Sequence, residues 1–146
     1  METSQPGRVR VSADRPWEKV VGYSRAVKVG TLIEVSGTAA AAPDGAILGE
    51  GDVYLQTREC LRVIGEALAA LGASWQDVIR TRVFLKDVSR WEEAGRAHGE
   101  IFAQVRPATA FIGVSGFIDP GILVEIEATA VSGVGVGKDE SSLAGA

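Results

Sequence analysis

The period of the apolar residues changes twice between positions 53 and 105, and that switching limits the possible folds more than any other feature. Over 53–71, Tyr54, Leu61, Ile64, Leu68 and Leu71 recur at helical spacing, which predicts a helix stopped by Gly72. The stretch "IRTRVFLK", 79–86, then alternates as a strand: Thr81, Val83 and Leu85 point one way, Arg80, Arg82, Phe84 and Lys86 the other. Next, Ser89 with Glu92 reads as a capping box, and Trp91, Ala94, His98, Ile101 and Val105 form a second helical stripe that ends before Pro107. A strand between two helices needs other strands to pair with. Two short runs, 25–30 and 31–37, meet at Gly30-Thr31 as a hairpin, and Pro43-Asp44-Gly45 is a turn. Two more strands follow at 109–115 and 122–131. In the first, Thr109, Phe111, Gly113 and Ser115 share a face. In the second, Leu123, Glu125, Glu127 and Thr129 oppose Val124, Ile126, Ala128 and Ala130.

The order is β-β-α-β-α-β-β, an α+β single domain with both helices packed on one face of a mixed sheet. The other face, expected to carry Phe84, Phe111 and Leu123, would lack a cover, so an oligomer is expected. Residues 1–12 read as a loose segment, 13–132 as the domain, and 133–146 as a flexible tail rich in Gly and Ser.

Composition excludes several functions. A net charge of −4 over 146 residues argues against nucleic acid as a partner. One cysteine, Cys60, and one histidine, His98, leave neither a disulfide framework nor a metal-ligand set. No apolar run reaches membrane-spanning length, the N-terminus lacks the apolar core of a signal peptide, and a cytoplasmic location is expected. No nucleotide-cradling glycine motif is present, and no cofactor is expected.

Four blocks in order, "GYSRAVKVGTLIEVSG", "QTRECLRVIGEALAALGASWQDVIRTRVFLKD", "RPATAF" and "LVEIEATAV", resemble the YjgF/Rid family of reactive intermediate deaminases, also known as L-PSP endoribonucleases. The resemblance runs from about Val20 to Val131. It implies a chorismate-mutase-like fold, a homotrimer, and a small-molecule pocket at each subunit interface. It also implies Glu125 as the residue that positions water, with Tyr23, Ser36 and Gly37 in the pocket. Deaminating members carry an arginine after Pro-Ala, which holds the carboxylate of a 2-imino acid. Here Thr109 takes that place after Pro107 and Ala108, Phe111 takes a position often held by cysteine, and Gly95 stands where asparagine is frequent.

These departures point away from a standard 2-imino acid deaminase. The reading is a Rid-family protein that hydrolyses or tautomerises a small imine or enamine, with Glu125 as acid or base. The alternative is a trimer that binds or senses a metabolite without chemistry. The pocket is expected to be walled by Tyr23, Ser36, Gly37, Phe84, Thr109 and Phe111. Arg82 and Arg25 are candidates to replace the missing guanidinium, although Arg82 can equally bridge to Glu125 or Glu127. His98 reads as a satisfied buried histidine, Cys60 as a small buried residue, and Tyr54 and the three tryptophans as packing. Arg96, between Glu92 and Glu100, reads as a helix-surface ion-pair ladder.

Overall fold

A computed structural model describes residues 2–5 and 7–133, so the expected tail at 133–146 lies, after its first residue, outside the described residues. The strands are β1 (Glu2–Gln5), β2 (Arg8–Val11), β3 (Ala26–Val29), β4 (Leu32–Ala39), β5 (Val78–Leu85), β6 (Ala108–Gly113) and β7 (Val124–Val131). The helices are α1 (Val53–Ala70) and α2 (Trp91–Phe102). One sheet runs β1-β2-β3-β4-β7-β5-β6, antiparallel except for the parallel pair β5–β6 joined through α2. The α+β class and the single mixed sheet are as expected.

Alternation along each strand sends one set of side chains beneath the helices. Ile33 and Val35 on β4, Val83 and Leu85 on β5, and Val124, Ile126, Ala128 and Ala130 on β7 are buried there. They meet Cys60, Leu61, Ile64 and Leu68 of α1 and Ala94 and Phe102 of α2 in one core. Asp52 caps α1 by accepting from the Leu55 amide at 2.9 Å. The helix ends as expected at Gly72, whose φ of +76° is left-handed. Where α1 passes the short turn at Trp75–Asp77, a side chain on Gly65 would sit 2.6 Å from the Trp75 ring. That glycine lets the indole approach the helix closely, and the ring meets Phe102 edge-on at 5.4 Å.

Several expectations are corrected. Within the segment 1–12 that reads as loose, Glu2–Gln5 and Arg8–Val11 are strands: β2 pairs with β3 from Arg8↔Val29 to Val11↔Ala26, and β1 pairs with β2. Tyr54 leaves the stripe of α1 and donates its hydroxyl to Glu100 at 2.7 Å, while Arg96 stacks on its ring at 4.4 Å. The Arg96 ladder is therefore absent; Glu100 pairs instead with Arg58 at 2.7 Å. Ser89 does not cap α2, because its hydroxyl and amide both bond to Asp87 at the start of the turn Val88–Arg90. Of the tryptophans only Trp75 packs inside; Trp17 and Trp91 are at least half exposed.

The face opposite the helices is not the apolar surface expected. Its occupants include Arg82 and Phe84 of β5 beside Glu127 and Glu125 of β7, and the registers are Arg82↔Glu127 and Phe84↔Glu125. Phe111 is not among them. Leu123 stands just before β7, half-buried against the core, with its amide donating to the Gln56 side chain.

Candidate functional site

β4 and β7 pair regularly up to Val35↔Ala128, then shift register so that Thr38 meets Ile126 and Ala39 meets Glu125. Ser36 and Gly37 together stand opposite the single residue Glu127, one residue more than the partner strand, and form a bulge next to Glu125; bulges re-aim side chains in this way. Gly37 leaves room for Glu125 there: a Cβ on the glycine would lie 3.0 Å from Glu125 Oε1 and would push the carboxylate end aside. The carboxylate thus occupies the space that any other residue at 37 would fill.

The segment 23–25 is stitched to this bulge. Ser36 donates its hydroxyl to the Ser24 carbonyl at 2.6 Å and its amide to the Arg25 carbonyl at 2.9 Å. Arg25 Nη1 donates to the Gly37 carbonyl at 3.0 Å and to Thr38 Oγ1 at 2.8 Å, and Thr38 in turn donates to the Ser36 carbonyl. Arg25 is therefore neither a solvated strand charge nor a free guanidinium: it buttresses the bulge. Burial pushes its pKa down from the ordinary arginine value, and Tyr23 and Glu125 partly restore it. Tyr23 and Ser36 line a cleft of about 810 Å³ with Arg8, Arg10, Glu18 and Lys19. β2 supplies the two arginines, which explains why a reading that left 1–12 loose missed them.

Burial raises the Glu125 pKa above 4.5; the Arg25 charge opposes this and the Glu127 charge adds to it. Among the described residues no donor hydrogen-bonds this carboxylate. A half-buried carboxylate with raised basicity and no fixed partner is suited to exchange protons with a small molecule. Glu127 is engaged otherwise, by Arg82 at 4.0 Å across the strands, as expected. Arg82 is thus an ion-pair partner beside Glu125 in this chain.

Thr109 and Phe111 are placed elsewhere. Parallel register sets Thr109 beside Thr81 and Phe111 beside Val83, both of which face the helices. Thr109 Oγ1 lies 2.8 Å from Thr81 Oγ1, which lies 2.8 Å from His98 Nε2. Phe111 meets Trp91 at 6.4 Å and His98 at 6.1 Å. The expected six-residue wall therefore divides within one chain. Gly37 and Phe84 flank Glu125 and Tyr23 and Ser36 line the cleft beside the bulge, whereas Thr109 and Phe111 sit at the β6 edge on the opposite side of the sheet.

His98 is the satisfied histidine expected, 9% exposed and held against Phe102 at 4.6 Å. Burial lowers its pKa below 6.5, so it is neutral at pH 7. Cys60 is buried beneath the Val124 carbonyl, and burial pushes its thiol far above the ordinary range, which makes it inert. Among the described residues no three His, Cys, Asp or Glu side chains gather as a metal would require, and no helix is long and apolar enough to cross a membrane.

Residues 13–132 match the family model for endoribonuclease L-PSP. An uncharacterized protein of Streptomyces coelicolor is 43% identical over 124 residues, covering 85% of this chain and 92% of the relative. The human 2-iminobutanoate/2-iminopropanoate deaminase is 32% identical over 111 residues, covering 76% of this chain and 80% of that enzyme. The crystal structure of a Mycobacterium tuberculosis YjgF-family protein superposes with a TM-score of 0.77 at 44% identity, covering 85% of this chain and 98% of that one. The chain belongs to the YjgF/Rid family.

Proposed function

We propose that this chain forms a homotrimer whose small-molecule pocket closes only when the open sheet face of one copy meets the β6 edge of another. In that pocket Glu125 handles the proton in hydrolysis or tautomerisation of a small imine or enamine. In hydrolysis, Glu125 takes a proton from a water as its oxygen bonds to the C=N carbon. That proton passes to the nitrogen and gives a carbinolamine; the carbinolamine's hydroxyl proton then moves to the nitrogen by way of Glu125, the C–N bond breaks, and ammonia leaves as the carbonyl forms.

The observation that carries this reading is the Glu125 carboxylate lodged over the bare Gly37 bulge, half-buried and without a hydrogen-bond donor. Two further observations support a second copy. The wall residues split between opposite sides of the sheet, and Arg80 of β5 has a buried Nε with no hydrogen-bond partner among the described residues. The similarity to a 2-imino acid deaminase supports imine chemistry, while Thr109 argues for a substrate without a carboxylate at that point.

The test is ammonia release. Imines without a carboxylate, freed from primary amines by an amine oxidase, are expected to be hydrolysed faster when the protein is added. 2-Aminoacrylate, generated from serine by a dehydratase, is expected to gain nothing from the wild type and to be accelerated by Thr109→Arg. Equal action of wild type and Thr109→Arg on 2-aminoacrylate contradicts the reading of Thr109. No acceleration of any imine, with retained ligand binding, assigns the trimer to metabolite binding instead.

A further inference from the structure

We infer that Thr109 is a hydrogen-bond acceptor toward the ligand, so that the site selects a neutral group bearing N–H or O–H donors where an arginine would select a carboxylate. This rests on the proposal that Thr109 lines the pocket.

The inference follows from counting protons along a short chain of groups. The Pro107 carbonyl can only accept, and Thr109 Oγ1 donates to it at 3.1 Å. A hydroxyl has one proton, so at its 2.8 Å contact with Thr81 the Thr109 oxygen must accept. Thr81 has then committed its own proton, and at 2.8 Å from His98 it accepts from Nε2–H. The chain runs one way: His98 to Thr81 to Thr109 to Pro107. If the His98 end reverses, Thr81 donates to Nε2 and Thr109 donates to Thr81, and the Thr109 proton is again used within the protein. What Thr109 keeps in either case is a lone pair.

Burial fixes the arrangement. Thr81 is 1% and His98 9% exposed, so water does not scramble the inner bonds, whereas Thr109 itself is exposed. The hydroxyl is thus the accessible tip of a buried polar chain. Beside it stand Phe111 and the half-exposed Trp91, crossed edge to face. Gly95, with those two rings as its nearest neighbours, leaves the aromatic corner open. A flat group carrying an amide or amine fits this corner: ring against ring, N–H toward Thr109.

The probes are benzamide and benzoate, equal in shape and opposite at the recognised group. Both are titrated against the intact oligomer by NMR, for wild type, Thr109→Val, Thr109→Arg and Glu125→Gln. Thr109→Val keeps the volume of an exposed strand residue, and its melting curve checks the fold. The wild type is expected to bind benzamide more tightly than benzoate. Thr109→Val is expected to weaken benzamide by about five- to tenfold, the loss of one hydrogen bond, and to leave benzoate unchanged. Thr109→Arg is expected to reverse the order.

Unchanged benzamide affinity in Thr109→Val, equal weakening of both probes, or no binding of either overturns the inference. Glu125→Gln separates it from the pocket it rests on. Because ionised Glu125 repels benzoate in a shared pocket, that variant is expected to tighten benzoate. If Thr109→Val acts as predicted and Glu125→Gln changes neither probe, the acceptor assignment stands and the shared pocket falls. If only Glu125→Gln acts, the pocket stands and the acceptor assignment falls.

Discussion

Glu125→Gln is expected to lower imine turnover by about 10²–10⁴, the usual worth of a positioned acid or base. The amide keeps the volume over Gly37 and cannot take a proton. For the wild type the rate is expected to rise with pH as the carboxylate ionises, with a midpoint above the ordinary 4.5 because burial holds the group protonated longer. Stability moves the opposite way. The folded chain holds the Glu125 proton more tightly than the unfolded chain. The stabilisation from that proton is complete below pH 4.5 and is lost as pH rises through the folded value. At pH 7 the wild type therefore keeps an ionised, half-buried carboxylate without a donor. Glu125→Gln is expected to raise Tm there by on the order of 1–3 °C and to change it little at pH 4. Calorimetry at the two pH values checks this, and a variant that melts lower at pH 7 would show the carboxylate to be structural.

The second large effect concerns a residue remote from the chemistry. Gln56 is fully buried on the core side of α1, and its side chain joins two loops. Its Nε2 donates to the Gly49 carbonyl at 3.3 Å and to the Gly121 carbonyl at 3.0 Å, and its Oε1 accepts from the Leu123 amide at 2.9 Å. Three of its four hydrogen-bonding sites are thus used. Leucine matches the volume and offers none of them. Gln56→Leu is expected to destabilise the fold by about 2–4 kcal/mol, the cost of backbone groups left unmatched, offset in part by the more apolar side chain. Urea unfolding measures it. A loss under about 1 kcal/mol would mean that water enters and satisfies all three groups. Since Leu123 leads directly into β7, the variant is also expected to reduce turnover more than binding, by loosening the strand that aims Glu125.

Legibility in the sequence depended on whether a signal was local. Leu61, Ile64 and Leu68, or Thr81, Val83 and Leu85, declare a buried face by spacing alone, and both faces were read correctly. In β6 the residues Thr109, Ala110, Phe111 and Ile112 offer no polar alternation, so nothing local says which side faces the helices. Parallel pairing with β5 decides it, and Thr109 and Phe111 were accordingly placed on the wrong side. β2 reads Arg-Val-Arg-Val, an alternation legible in principle but obscured by charge and by its place near the terminus. Gln56 looked like an ordinary polar helix residue because its partners are 7, 65 and 67 positions away. The Glu125–Gly37 pair came from family resemblance. The close packing of the carboxylate end on Gly37 emerges only from the bulge.

The central claim is that Glu125 of one copy and Thr109 of another face a single pocket. The most direct measurement is the distance between them across subunits in a crystal structure of the protein, with its assembly established in solution by sedimentation. The account predicts a trimer in which one small molecule can touch the Glu125 carboxylate of one subunit and the Thr109 hydroxyl of its neighbour. A monomer, or an assembly that leaves the two groups in separate cavities, would contradict it.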